Sequence, residues 1–304
     1  MKTPLGHTEG YMEESLSVAF ATRFCGGGLS YMALILNKKY MEDECSFSYE
    51  LLYNAVFVIE SLRPGDKKTG TDLHNDVIRW KCIKNGTQSQ LFTVETKAKL
   101  FSLFQEIRQL VTKGVLIPIL HFEMHGSERG MQLTSNEVVT WEELGELCRN
   151  INMLIKNQLI VSLATCKGAY FYKCIEISRP APFWGYIGPK EDSNQYELLE
   201  DYTNFYTVYL DTEQLQDAII ALNVARGTND YVFINGDIIF EILFEFMDKN
   251  YPSKIIRFHR LKHQTKAINP NMNRRQRRGK LMQNIEEHDP WEFKRRIKNQ
   301  YLMK

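Results

Sequence analysis

From residue 54 onward the apolar and polar positions of the chain fall into recognisable elements. Asn54–Glu60 (NAVFVIE) is an apolar run of strand length, closed by the turn-forming Arg63-Pro-Gly-Asp66. Val77–Ile83 (VIRWKCI) alternates as a strand does and stops at Asn85-Gly86. Leu100–Val111 has apolar residues at 100, 103, 104, 107, 110 and 111, the stripe of a helix, and Gly114 stands where a C-cap glycine belongs. Val115–Phe122 (VLIPILHF) is almost continuously apolar, as a strand buried on both faces is. Pro118 cannot donate to a ladder, so the paired part is expected to begin at Ile119. Thr140-Trp-Glu-Glu143 is a capping box, and the helix it opens aligns Leu144, Leu147, Ile151 and Leu154 on one face. Leu159–Ala164 (LIVSLA) is a second buried-type strand and Phe183–Ile187 a weaker one, while Asp211–Leu222 and Ile238–Met247 read as helices. Strands of the buried type alternating with helices predict an α/β sandwich around a mostly parallel sheet. The first 47 residues carry no such pattern. There Cys25-Gly-Gly-Gly28 reads as a flexible turn, without the Lys-Ser/Thr ending of a phosphate-binding loop.

Charge divides the chain more sharply than its net value of +1 suggests. Residues 254–304 hold 15 Lys and Arg against 4 Asp and Glu, which leaves 23 against 33 for the rest. The reading is three-part: an N-terminal extension (1–50) packed on the body, a main domain (51–253) and a basic segment (254–304). No apolar run approaches the roughly 18 residues of a membrane-spanning helix, and the opening MKTPLGHTEGYMEES lacks the apolar stretch of a secretory signal. The six cysteines are widely spaced with no C-x-x-C pair, which excludes a disulfide framework and a zinc site and points to free thiols in a reducing cytoplasm.

Two strand ends carry the candidate chemistry. Glu123-Met-His125-Gly126 follows the strand ending near Phe122, and Thr165-Cys166-Lys167-Gly168 follows the strand ending near Ala164. Reactive groups gather at the carboxyl ends of strands in an open α/β sheet. A cysteine is a strong nucleophile once ionised, and a neighbouring imidazole takes its proton. The backbone amides of Gly126 and Cys166 are placed to hold a developing oxyanion. His121 is read as an inward polar residue of its strand, Cys148 and Cys174 as packing residues, and His259 with His263 as a surface pair. No residues are arranged to hold a metal.

This set resembles the caspase-like fold of clan CD cysteine peptidases, the group of caspases, metacaspases, separase, gingipains and bacterial CHAT domains. That fold has one strand ending in His-Gly and the next ending in Cys-x-Gly, which the segment from His121 to Gly168 matches in order and spacing. Lys68-Thr-Gly-Thr-Asp72 is similar to the Arg-x-Gly-Thr-Asp segment after the first caspase strand, and Ala181-Pro-Phe-Trp-Gly-Tyr-Ile-Gly-Pro189 to the strand and turn after the cysteine in CHAT-type sequences. The resemblance spans roughly residues 52–225. It implies a caspase-like three-layer sandwich and a cysteine endopeptidase with His125 and Cys166 as its dyad, needing no cofactor and acting on a protein substrate in signalling, cell death or bacterial defence such as antiviral defence. It also implies that Lys68 lines the pocket for an acidic substrate side chain, although lysine lacks the planar fork of arginine. Asp192, in the loop after Gly188-Pro189, would instead select a basic one.

Two other functions fit the residues: a catalytically silent caspase-like interaction module, and a nucleic-acid-binding protein using the basic C-terminus. In that segment Asn273-Arg-Arg-Gln-Arg-Arg-Gly279 is a dense basic run, and Asp289-Pro-Trp-Glu292 reads as a capping box for a helix reaching about Leu302. Phe293, Ile297 and Tyr301 form its apolar stripe. The stripe either packs on the chain's own acidic body or binds an anionic or regulatory partner.

Overall fold

A computed structural model of the chain describes residues 52–177, 179–224, 230–242, 273, 275–276 and 290–304. The glycine run at 25–28, Cys45, His259 with His263, Met247, most of the basic run at 273–279 and the Asp289 cap lie outside the described residues.

The core is a twisted mixed sheet built on β1 (Ala55–Ser61), β2 (Gln88–Thr93), β3 (Pro118–Ser127), β6 (Ile160–Ala164), β7 (Gly185–Pro189) and β8 (Tyr231–Asn235), in the order β2-β1-β3-β6-β7-β8. Every pairing along it is parallel except β7 with β8. Two short strands, β4 (Gly130–Gln132) and β5 (Val138–Thr140), extend the far end of β3 as an antiparallel flap. Side chains on successive strand residues point to opposite faces, so each central strand feeds two apolar layers. Phe57, Ile59, Leu120, Phe122, Val161 and Leu163 enter one layer, and Val56, Val58, Ile119 and Ile160 the other.

The first layer is covered by α3 (Lys97–Thr112) and α4 (Trp141–Asn152). Thr96 caps α3 by accepting from the Lys99 amide, and Thr140 with Glu143 forms the expected capping box of α4. The second layer is covered by the short α1 (Thr69–Leu73), α2 (Arg79–Asn85), α5 (Gln195–Thr212) and α6 (Leu215–Val224). The architecture is thus an α/β sandwich with helices on both faces of a mostly parallel sheet. Among the described residues no helix is long and apolar enough to cross a membrane.

Several sequence expectations are corrected. Val77–Ile83 is not a strand: it lies in a wider turn at His74–Ile78 that runs into α2. Leu73, Ile78 and Cys82 face the core, whereas Trp80 and Ile83 face solvent, so the apparent alternation is incidental to a helical stripe. Gly86, at φ 68°, ends that helix and frees the chain for β2, an edge strand whose mixed polarity hid it. Pairing in β3 begins at Pro118 itself, opposite Ala55, where a missing N–H is tolerated at the first strand position. The helix expected over Asp211–Leu222 is two helices, broken at Glu213 with φ 57°. The first of these, α5, is long and capped by Asn194 with Glu197; its buried face is tyrosine-rich and reads as polar in sequence. Leu154 lies beyond the end of α4 and is exposed.

The end of the basic segment belongs to this body. In α7 (Pro290–Leu302) the side chains of Ile297, Tyr301 and Leu302 are buried in the first layer. The Ala181 amide donates to the Tyr301 carbonyl at 2.8 Å, and Leu302 lies against Gly236.

Candidate active site

Parallel register sets the site. Glu123 on β3 pairs with Ala164 on β6, the last rung between these strands. His125 and Cys166 each stand two residues further on, at the carboxyl end of the sheet. Beyond that rung β3 does not end as expected: it leaves the main sheet and runs to Ser127, paired with β4, with His125 opposite Gln132. His125 therefore sits inside a hairpin whose backbone is fixed, not on a free loop.

His125 is oriented by a residue the sequence reading used only as a turn former. Asp66, in the loop leaving β1, holds His125 Nε2 at 2.8 Å through Oδ2, and the same oxygen accepts from the Arg63 amide at 2.8 Å. The hydrogen bond from His125 foremost, and the Arg63 amide behind it, outweigh burial and hold the Asp66 carboxyl below the usual carboxylate range. The signal was available in outline: a carboxylate in the turn that ends one strand, beside a strand ending in His-Gly.

Cys166 is partly exposed and enters a tight turn. Lys167, next to it, has φ 56°, and the Gly168 amide donates to the Thr165 carbonyl at 3.0 Å. The Cys166 thiol donates to the Ser193 carbonyl at 3.7 Å, and among the described residues it has no hydrogen bond to His125. With Nε2 engaged by Asp66, Nδ1 is the ring atom left for the thiol. The structure thus brings the two side chains to one end of neighbouring strands and leaves the thiol turned toward the loop after β7.

Close packing gives Gly126 a reason of its own. A Cβ there would lie 2.1 Å from Thr165 Oγ1 and 2.2 Å from the Cys166 carbonyl oxygen. The glycine lets the β3 backbone pass against the cysteine turn, which is what sets His125 beside Cys166. Gly126→Ala is accordingly expected to cost about 1–3 kcal/mol through overpacking and to slow labelling of Cys166 by a thiol reagent, read by thermal melting and peptide mapping. An unchanged melting temperature with full labelling would show that the two backbones need not meet this closely.

The remaining candidates lie in the loops around these two residues. Lys68 Nζ donates to the backbone carbonyls of Leu62 and Arg63, the latter at 2.8 Å, so a substrate carboxylate would displace bonds already made. Asp192 is exposed in the loop after β7, one residue before the carbonyl that accepts from the thiol. The Lys167 amide donates to the Glu191 carbonyl at 3.2 Å, and its amine lies 3.5 Å from Glu128 and 3.6 Å from Glu191. The Lys67 amide donates to Gln195 at 3.3 Å and its amine lies over the Tyr196 ring, which ties the loop after β1 to the start of α5. His121 is fully buried, as expected, and Cys148 and Cys174 are buried as well. Burial pushes both thiols well up, so they stay protonated. Among the described residues no group of His, Cys, Asp or Glu is arranged to hold a metal ion. The chain matches no protein-family model and no curated protein.

Proposed function

We propose that the protein is a caspase-like cysteine endopeptidase. The observation that carries this reading is the placement of His125 and Cys166 each two residues beyond the last rung between two directly paired parallel strands, with Asp66 on Nε2 of the imidazole. The same juxtaposition of a His-Gly end and a Cys-x-Gly end supports the caspase-like form of the α/β sandwich. In the reaction the thiol rotates from Ser193 toward His125 Nδ1, which takes its proton. The thiolate adds to the scissile carbonyl carbon, and the oxyanion is held by the amides of Gly126 and Cys166. As the C–N bond breaks, His125 returns the proton to the leaving amine. Water, deprotonated by His125, then adds to the thioester and releases the carboxylate product and the thiol. Asp66, bonded to Nε2, keeps the imidazole in one orientation, as a carboxylate does in an oriented nucleophile–base pair. The action is limited, sequence-selective cleavage of a protein substrate in a reducing cytoplasm, of the kind used in signalling, cell death or bacterial defence.

One observation favours a second reading, a silent interaction module: the thiol is bonded to Ser193 and not to the imidazole. In the described part of the basic segment Lys294, Lys298 and Lys304 are paired with Glu241 and Asp237, so these three lysines lend the nucleic-acid reading no support. A set of peptidyl acyloxymethyl ketones differing only in the side chain next to the reactive carbonyl separates the peptidase from the silent module. Covalent labelling of Cys166 in the wild type and its loss in His125→Ala are expected. A preference for acidic side chains would implicate Lys68, and one for basic side chains Asp192. Absence of labelling across the set, with the chain folded, would establish the silent module.

A further inference from the structure

Beneath the candidate site lies a layer of buried polar side chains that the proposed chemistry does not use. Glu60 and Glu123 are register partners on β1 and β3, and both are almost completely buried. One oxygen of Glu123 meets His121 Nε2 at 3.1 Å, and the other accepts from the Thr69 hydroxyl at 2.8 Å. His121 Nδ1 meets Ser162 Oγ at 3.0 Å. Glu60 accepts from the amide and the hydroxyl of Thr71, at 2.9 and 3.1 Å. Gly70 lies between the two carboxylates: a Cβ there would come 2.9 Å from Glu123 Cγ and 3.1 Å from Glu60 Oε1. Tyr202 and Tyr206 close the layer edge-on to the His121 ring.

Such a layer is a poor device for stability. Taking carboxyl groups out of water is costly before partners are counted, and well-packed apolar residues in their place are commonly as stable or more so. What a hydrogen-bonded polar layer does supply is a single arrangement of the elements it joins. Here the contacts run Ser162–His121–Glu123–Thr69. They link β6 four residues before Cys166, β3 four and two residues before His125, and the first residue of α1, three after Asp66. All three segments that carry the site are therefore tied together one layer below it. Other ties run between the end of β1 or its loop and the hairpin: Arg63 reaches Gln132 at 2.8 Å but is exposed and so weaker in holding geometry, and Ser61 Oγ meets Thr134 Oγ1 at 3.0 Å without touching the residues that carry the site.

We propose that Thr69 and Glu123 are positioning residues that set Asp66 against His125. The proposal rests on the reading of Asp66, His125 and Cys166 as a working set. Displacement of an orienting group by about 1 Å slows chemistry by one to two orders of magnitude. The test reads the rate of Cys166 alkylation by iodoacetamide, followed by peptide mapping on the full chain, with folding monitored by circular dichroism. Asp66→Asn and Thr69→Val are each expected to slow it about tenfold, while Thr69→Ser, which keeps the hydroxyl, stays within about twofold. Because Thr69 acts through Asp66, the double variant should be no slower than Asp66→Asn alone. Glu123→Gln is the second probe should Thr69→Val fold poorly, and the same non-additivity with Asp66→Asn is expected. Multiplying losses in the double variants, or wild-type rates in Thr69→Val, would overturn the positioning role while leaving the site intact. A wild-type rate in Asp66→Asn would instead bring down the reading of the site, and this proposal with it.

Discussion

Replacing Cys166 by alanine is expected to abolish peptide cleavage, with a loss in kcat/KM of at least about a thousandfold, and His125→Ala is expected to cost nearly as much. The double variant should be scarcely worse than either single one, because proton removal from sulfur and proton return to the leaving amine are two uses of one pair. The measurement is turnover of the peptide that the ketone set identifies as preferred. Cys148→Ala and Cys174→Ala serve as controls, since both thiols are enclosed in the first layer and held protonated by burial. Their loss leaves cavities, so they should lower the melting temperature and spare turnover per folded molecule. Cleavage by Cys166→Ala at the wild-type rate would remove the thiol from the mechanism. A full loss in Cys166→Ala with none in His125→Ala would leave a thiol activated by something other than the imidazole. The most natural place to look would then be Lys167, whose backbone turns the cysteine outward and whose amine lies beside Glu128 and Glu191.

How much of this was legible beforehand differs from element to element, for physical reasons. Strands β1, β3 and β6 are buried on both faces, so their continuous apolar runs announce them, and the His-Gly and Cys-x-Gly ends follow directly. The Thr140–Glu143 capping box and the α3 stripe are local signals that tertiary packing does not alter. Strand β2 was hidden because an edge strand buries little: its residues alternate only between exposed and half-buried. Helix α5 was underread because its inner face is built from Tyr202, Tyr206 and Tyr209, whose rings are buried although their hydroxyls score as polar. Val77–Ile83 deceived because a single wide turn shifts the helical phase, and that shift is set by packing against α5, not by local preference. Within the candidate site His125 and Cys166 were visible and Asp66 was not. Its role depends on two loops meeting in space, 59 residues apart along the chain, and turn residues of the type Pro-Gly-Asp are common for purely local reasons. The buried layer under the site was invisible for the same cause, since Glu60, Thr69 and His121 acquire meaning only through the register of β1, β3 and β6.

The basic C-terminal segment, which sequence left open between partner binding and packing on its own body, leads to the largest expected change in stability. Tyr301→Ala is expected to destabilise the fold by about 3–5 kcal/mol, the range for emptying an aromatic site in a packed core. Its ring is fully buried beside Phe240, and its neighbours Ile297 and Leu302 are buried in the same layer. The charged contacts of the helix should matter far less. Lys294 and Lys298 reach Glu241 at 2.6 and 2.9 Å, and Lys298 also reaches Asp237 at 3.2 Å, but all four groups keep contact with solvent. Lys298→Ala is therefore expected to cost no more than about 1 kcal/mol. Tyr301→Phe provides the internal control. The Tyr301 hydroxyl is buried without a hydrogen-bond partner among the described residues, so its removal should be neutral or mildly stabilising. Urea denaturation of the three variants at neutral pH gives the order directly. If Lys298→Ala proved costlier than Tyr301→Ala, charge and not packing would hold the helix, and the segment would be free to exchange its own acidic residues for an anionic partner. If the expected order is found, truncation before residue 290 removes part of the first core layer. Any loss of Cys166 labelling in a truncated chain must then be read first as loss of the fold and only afterwards as loss of a partner.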